Sequence, residues 1–109
     1  MEKIFNKLVR DKIPEIIEGN GDIPSIRVLS DKECDKALNE KLKEELNEVI
    51  NSKTKDELKE ELADLLEVIH AKANINGITY SDIENVRQIK KQKRGAFDKK
   101  IYLISTKNK

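Results

Sequence analysis

The sequence predicts a mainly α fold whose core is a hairpin of two antiparallel helices. One acidic motif, here called the repeated phrase, occurs twice in similar form, as KEELNEVI over Lys43–Ile50 and as KEELADLL over Lys59–Leu66. Around both copies, apolar residues recur every three or four positions, which is the period of one helix face. Ser, Thr and Gly residues that favour helix ends separate these segments from their neighbours.

The first predicted element is a short helix over Leu8–Glu18. Pro14 is tolerated in its first turn if the helix begins near Asp11. The Gly19–Gly21 segment, GNG, ends it. Ser25–Leu29 (SIRVL) then alternates apolar and polar residues, which is typical of a short strand.

The second and third helices are the two arms of the hairpin. Ser30 with Glu33 forms a capping box for the first arm, and Thr54 with Glu57 forms one for the second. A turn over residues 51–53 separates the arms, and Gly77 ends the second. The apolar stripes contain Leu38, Leu42, Leu46 and Val49 in the first arm and Leu58, Leu62, Leu65, Leu66 and Ile69 in the second.

A fourth helix is predicted from a capping box of Ser81 and Glu84 to about Lys93, before Gly95. Ile101–Ser105 (IYLIS) has the composition of a second short strand, which could pair with the first in a small two-stranded sheet.

Composition indicates one small domain over residues 1–109. Because only 37% of residues are apolar and 39% are charged, we expect another subunit to complete the core. No apolar run approaches the roughly 18 residues of a membrane span. Cys34 is the only cysteine, and no apolar signal-peptide core follows Met1, so a reduced, cytoplasmic setting is expected.

The net charge of +1 conceals an acidic middle and a basic tail. Glu40–Glu67 holds ten acids and five lysines, whereas Arg87–Lys109 holds nine bases and one acid. The small net charge argues against a wholly basic nucleic-acid binder. The asymmetry suits a two-part ligand such as a metal-bound phosphate chain.

Four acids of the repeated phrase are matched across the hairpin. If the chain turns at Ser52–Thr54, Glu48 lies opposite Glu61 and Glu45 lies opposite Asp64. Clustered carboxylate oxygens are the ligands of hard cations such as Mg²⁺. The alternative is a solvated acidic face, but like charges four residues apart cost a helix about 0.2–0.5 kcal/mol each. Both interpretations remain open from spacing alone.

The two motifs Glu45-Leu-Asn-Glu48 and Glu61-Leu-Ala-Asp64 resemble the ExxE…ExxD signature of the MazG-like all-α nucleoside triphosphate pyrophosphohydrolases. The opening NKLVRDKIP over Asn6–Pro14, and RGAF before IYL near the end, resemble one subgroup of that superfamily. Ala96 stands where a second glycine is expected, a small change.

The resemblance implies Mg²⁺-dependent hydrolysis, with Mn²⁺ as a substitute, of a nucleoside triphosphate to its monophosphate and pyrophosphate. It also implies a homodimer or homotetramer in which paired hairpins make a four-helix bundle. Glu45, Glu48, Glu61 and Asp64 would be the metal ligands and catalytic acids, and Lys7, Arg10, Lys90, Lys93 and Arg94 would bind phosphates.

Two other functions remain open at this stage. One is phosphoribosyl-ATP pyrophosphohydrolysis, although the terminal segments resemble the other subgroup. The second is a non-enzymatic helical module that binds a protein, or a nucleic acid through its basic tail. The latter would bind nucleic acid with a steep salt dependence and would be indifferent to Glu48→Gln.

Overall fold

The computed structural model describes residues Met1–Lys109 and contains four helices. They are α1 (Ile13–Gly19), α2 (Asp31–Ile50), α3 (Lys55–Ile75) and α4 (Tyr80–Arg94). The predicted mainly α fold with a helical-hairpin core is therefore confirmed. No helix has the length and apolar character needed to cross a membrane.

Helices α2 and α3 form the antiparallel hairpin. Asp35, near the start of α2, accepts hydrogen bonds from Lys72 Nζ at 2.7 Å and Asn76 Nδ2 at 2.8 Å, near the end of α3. At the other end, the Ser52 hydroxyl donates to the Val49 carbonyl at 2.6 Å and closes the turn. This register brings Glu45 and Asp64 together, as their spacing predicts.

The helix starts follow local capping chemistry. Ser30 and Glu33 form the predicted reciprocal capping box. The predicted box at Ser81 and Glu84 is wrong, because Thr79 and Asp82 offer the same pattern two residues earlier and form the box there. Glu84 then lies inside the helix, where it accepts a hydrogen bond from Arg87 Nε at 2.9 Å.

Helix α1 begins at Ile13, later than the predicted Leu8, with Pro14 in its first turn. Proline lacks the N–H that an interior turn requires, so the helix cannot extend far before it.

The two predicted strands, Ser25–Leu29 and Ile101–Ser105, do not form. Alternation indicates a side chain pattern but supplies no partner strand, and an isolated pairing is marginal in water. The apolar side chains of Ile101–Ile104 are instead 76–90% exposed.

The core of one copy is small. Only Leu38, Glu45, Val68 and Ala73 are buried. The radius of gyration is 18.9 Å, against about 13 Å for a compact domain of about 100 residues. The stripes on α2 and α3 are therefore only partly covered within one chain.

Candidate metal and nucleotide site

Three of the four matched acids meet on the hairpin. Glu45 of α2 and Glu61 and Asp64 of α3 each offer one carboxylate oxygen. These three oxygens lie within 4.8 Å of one another. We call these three residues the carboxylate cluster. Glu48, one turn along α2 from Glu45, is exposed and lies outside the cluster, but its charge acts on two of the members.

Burial and mutual repulsion disfavour the charged forms of this cluster. Burial is the main cause that raises the pKa of Glu45, and the charges of Asp64, Glu44 and Glu48 raise it further, against an opposing effect of Lys41. The pKa of Glu61 is raised by burial first and then by Glu48, Asp64 and Glu45. Without a bound cation, the folded chain thus holds carboxylates that repel one another.

The donor set fits a hard divalent cation. All three atoms are carboxylate oxygens, which Mg²⁺ and Mn²⁺ prefer to nitrogen or sulfur ligands. A cation among them would offset the burial cost and the repulsion that raise the pKa of Glu45 and Glu61. The cluster can therefore hold such an ion.

Two basic side chains contact the cluster, and a third contacts the neighbouring Glu44. The Arg10 guanidinium contacts Asp64 at 2.7 Å, and Lys7 Nζ lies 3.6 Å from a Glu44 oxygen. Both bases are predicted phosphate ligands from the segment before α1. Lys41, which sequence reasoning missed, lies 3.3 Å from Glu44 and 3.8 Å from Glu45. Its signal was its position four residues before Glu45 on one helix face.

The other predicted phosphate ligands lie elsewhere. Lys90, Lys93 and Arg94 are exposed on the last turns of α4 and make no ion pair. Within one copy, α4 packs only against α3. We call the cluster together with Glu44 the acidic row. The structure therefore brings Lys7 and Arg10 to the acidic row but does not bring the α4 bases there.

Glu45→Gln is expected to stabilise the metal-free protein. The substitution removes a charge that burial and three acids disfavour, at the loss of a 3.8 Å contact with Lys41. Relief of several repulsions, each worth about 0.2–0.5 kcal/mol, should raise Tm in EDTA at pH 7 by roughly 2–6 °C. The pKa of Glu45 in the folded protein lies above its ordinary value of 4.5. Protonated Glu45 therefore contributes to stability below pH 4.5, and this contribution is lost as the pH rises through the pKa of the folded state.

The difference in Tm between Glu45→Gln and the wild type should consequently grow from pH 4.5 towards pH 7. Differential scanning fluorimetry across this range measures it. Glu40→Gln is the matched control on α2, because Glu40 is exposed and pairs with Lys43. A Glu45→Gln protein that melts below the wild type at pH 7 in EDTA would contradict the claim that the charge of Glu45 destabilises the metal-free fold.

Comparison with protein families identifies the fold and its class of chemistry. The family model described as MazG nucleotide pyrophosphohydrolase domain matches residues 34–97, more than half of the chain. The matched range contains α3 and α4, nearly all of α2, and all four matched acids. Searches of curated proteins and of solved structures found no match. The predicted resemblance is thereby confirmed, and the chain belongs to the MazG nucleotide pyrophosphohydrolase domain family.

Proposed function

We propose that the protein is a Mg²⁺-dependent enzyme that hydrolyses a nucleoside triphosphate to its monophosphate and pyrophosphate. One observation carries the proposal: three carboxylate oxygens from two helices lie within 4.8 Å of one another, inside the range that matches the family. We further propose that residues 1–109 act as a single domain.

In this proposal, Glu45, Glu61 and Asp64 hold the metal. When bound, Mg²⁺ or Mn²⁺ would polarise phosphate oxygens and stabilise the charge that develops on them. Glu48 is the fourth acid of the proposed set. From one turn beyond Glu45, its exposed carboxylate can accept a hydrogen bond from the attacking water and orient it.

The basic residues are proposed to bind the phosphate chain. Lys7 and Arg10 already lie against the acidic row in one copy. Lys90, Lys93 and Arg94 would have to approach from a second copy or on substrate binding. An arginine can donate two parallel hydrogen bonds to a phosphate, which gives Arg10 and Arg94 the geometry for this role.

A homodimer or homotetramer is proposed as the working form. Apolar residues along the hairpin remain exposed in one copy, among them Leu46, Ile50, Leu62 and Leu66. Two such hairpins packed together would bury these stripes in a four-helix bundle. The second hairpin would also cover Glu61 and Asp64, which are only half-buried in one copy.

The direct test is incubation with a panel of nucleoside triphosphates and Mg²⁺, followed by chromatography of the products. We expect monophosphate and pyrophosphate with at least one base, and no products in EDTA. Diphosphate and orthophosphate as products would show cleavage between the β- and γ-phosphates and would contradict the proposed reaction. A folded protein that turns over no nucleotide in the panel would contradict the proposed substrate class.

A further inference from the structure

One contact ties the N-terminal segment to the carboxylate cluster. Arg10 Nη2 donates a hydrogen bond to Asp64 Oδ1 at 2.7 Å across 54 positions of sequence. Both side chains are about half exposed, at 58% and 43%. Lys7, three residues earlier in the same segment, pairs with Glu44 of α2. The segment thus lies along the acidic row and places one base on each arm of the hairpin.

Asp64 is at once the partner of Arg10 and a member of the cluster. A guanidinium and a divalent cation that share one carboxylate are like charges a few ångströms apart, and they repel each other. Arg10 precedes α1 and its contact with Asp64 is half exposed, so its side chain can turn away. A phosphate oxygen beside the cluster would offer this guanidinium an equally strong acceptor.

We propose that Arg10 pairs with Asp64 before the metal binds and then turns its guanidinium to bind a phosphate of the bound nucleotide. This inference rests on the proposed function. It assigns Arg10 two successive partners, and it requires opposite effects on two ligands. Loss of Arg10 should strengthen binding of the metal alone and weaken binding of the phosphate chain.

The experiment measures Mn²⁺ affinity by electron paramagnetic resonance and affinity for inorganic triphosphate, in the presence of Mn²⁺, by calorimetry. Inorganic triphosphate carries the phosphate chain without a base, so base specificity does not affect the result. Arg10→Ala should bind Mn²⁺ about two- to fivefold more tightly, which is the worth of one exposed ion pair. It should bind triphosphate at least tenfold more weakly, as expected for a lost hydrogen bond between charged groups.

Controls separate this exchange from a general effect of charge. Arg27→Ala removes an arginine whose carboxylate partner, Glu33, lies outside the cluster, and it should leave both affinities unchanged. Arg10→Lys retains the charge and should recover part of the triphosphate affinity. Circular dichroism should show the same helix content in all variants.

The sign of the Mn²⁺ effect decides the inference. If Arg10 only holds Asp64 in place for the metal, Arg10→Ala should weaken Mn²⁺ binding by about 10–100-fold, and the inference is overturned. Unchanged triphosphate affinity in Arg10→Ala would also overturn it. A wild-type protein that binds no Mn²⁺ would overturn the proposed function itself, which is a distinguishable result.

Discussion

Glu61→Gln is expected to lower nucleotide turnover by about a thousandfold or more, equivalent to about 4 kcal/mol of transition-state stabilisation. The amide has nearly the same shape as the carboxylate but carries no charge, so the cluster of Glu45, Glu61 and Asp64 loses one of its three anionic ligands. The variant should remain folded, because removing the charge of Glu61 relieves the cost of burying that charge and the repulsion from neighbouring acids, which together raise its pKa. Steady-state kinetics with Mg²⁺ and the best nucleotide of the panel measure the loss.

Glu60→Gln is the matched control, because Glu60 is the adjacent, exposed acid of α3 and lies outside the cluster. It should retain at least half of the wild-type turnover. If Glu61→Gln keeps more than a tenth of the activity, or if both variants lose activity equally, the cluster is not the catalytic metal site.

Leu62→Glu is expected to dissociate the assembly and to abolish most of the activity. Leu62 is 47% exposed in one copy, and Leu58 and Leu66 lie one turn away on the same face of α3. A charge in the middle of this stripe would have to be desolvated when a second hairpin packs on it, which is strongly unfavourable. Multi-angle light scattering should give a multiple of 12.6 kDa for the wild type and 12.6 kDa for the variant.

Ala63→Glu is the control for this prediction. Ala63 is exposed on the polar face that includes Lys59 and Glu67, so an added acid there should leave mass and activity unchanged. A wild-type protein with the mass of a single copy would contradict the proposed bundle. A Leu62→Glu protein with the mass of the wild type would exclude this face of α3 as the interface.

The part of the fold and site that sequence could predict is the part governed by local chemistry. The Ser30 cap depends on residues three positions apart, and both arms of the hairpin depend on the period of one helix face. With the turn near Ser52, the spacing of the residues defines the register. It correctly placed Glu45 opposite Asp64, and those two acids lie in the cluster.

The features that sequence could not predict depend on competition between neighbouring residues or on contacts between distant ones. Thr79 displaced Ser81 as the cap of α4 because two nearby segments carried the same pattern. The contact of Arg10 with Asp64 joins residues 54 positions apart, and no periodicity indicates such a pair. The strand-like segment Ile101–Ser105 has the composition of a strand but no partner within one chain. The cap was decided by competition between neighbouring residues, and the other two outcomes were set by tertiary structure.

Diffraction from crystals soaked in Mn²⁺, with an anomalous difference map, tests the proposed metal site most directly. The carboxylate cluster predicts a peak coordinated by oxygens of Glu45, Glu61 and Asp64, with Glu48 turned towards it, and it predicts no peak there in Glu61→Gln. Arg10 should have left Asp64 in that structure if a phosphate chain is also bound. A map with no peak between the two helices, in crystals where the cluster is accessible to solvent, would contradict a metal-dependent site on this hairpin.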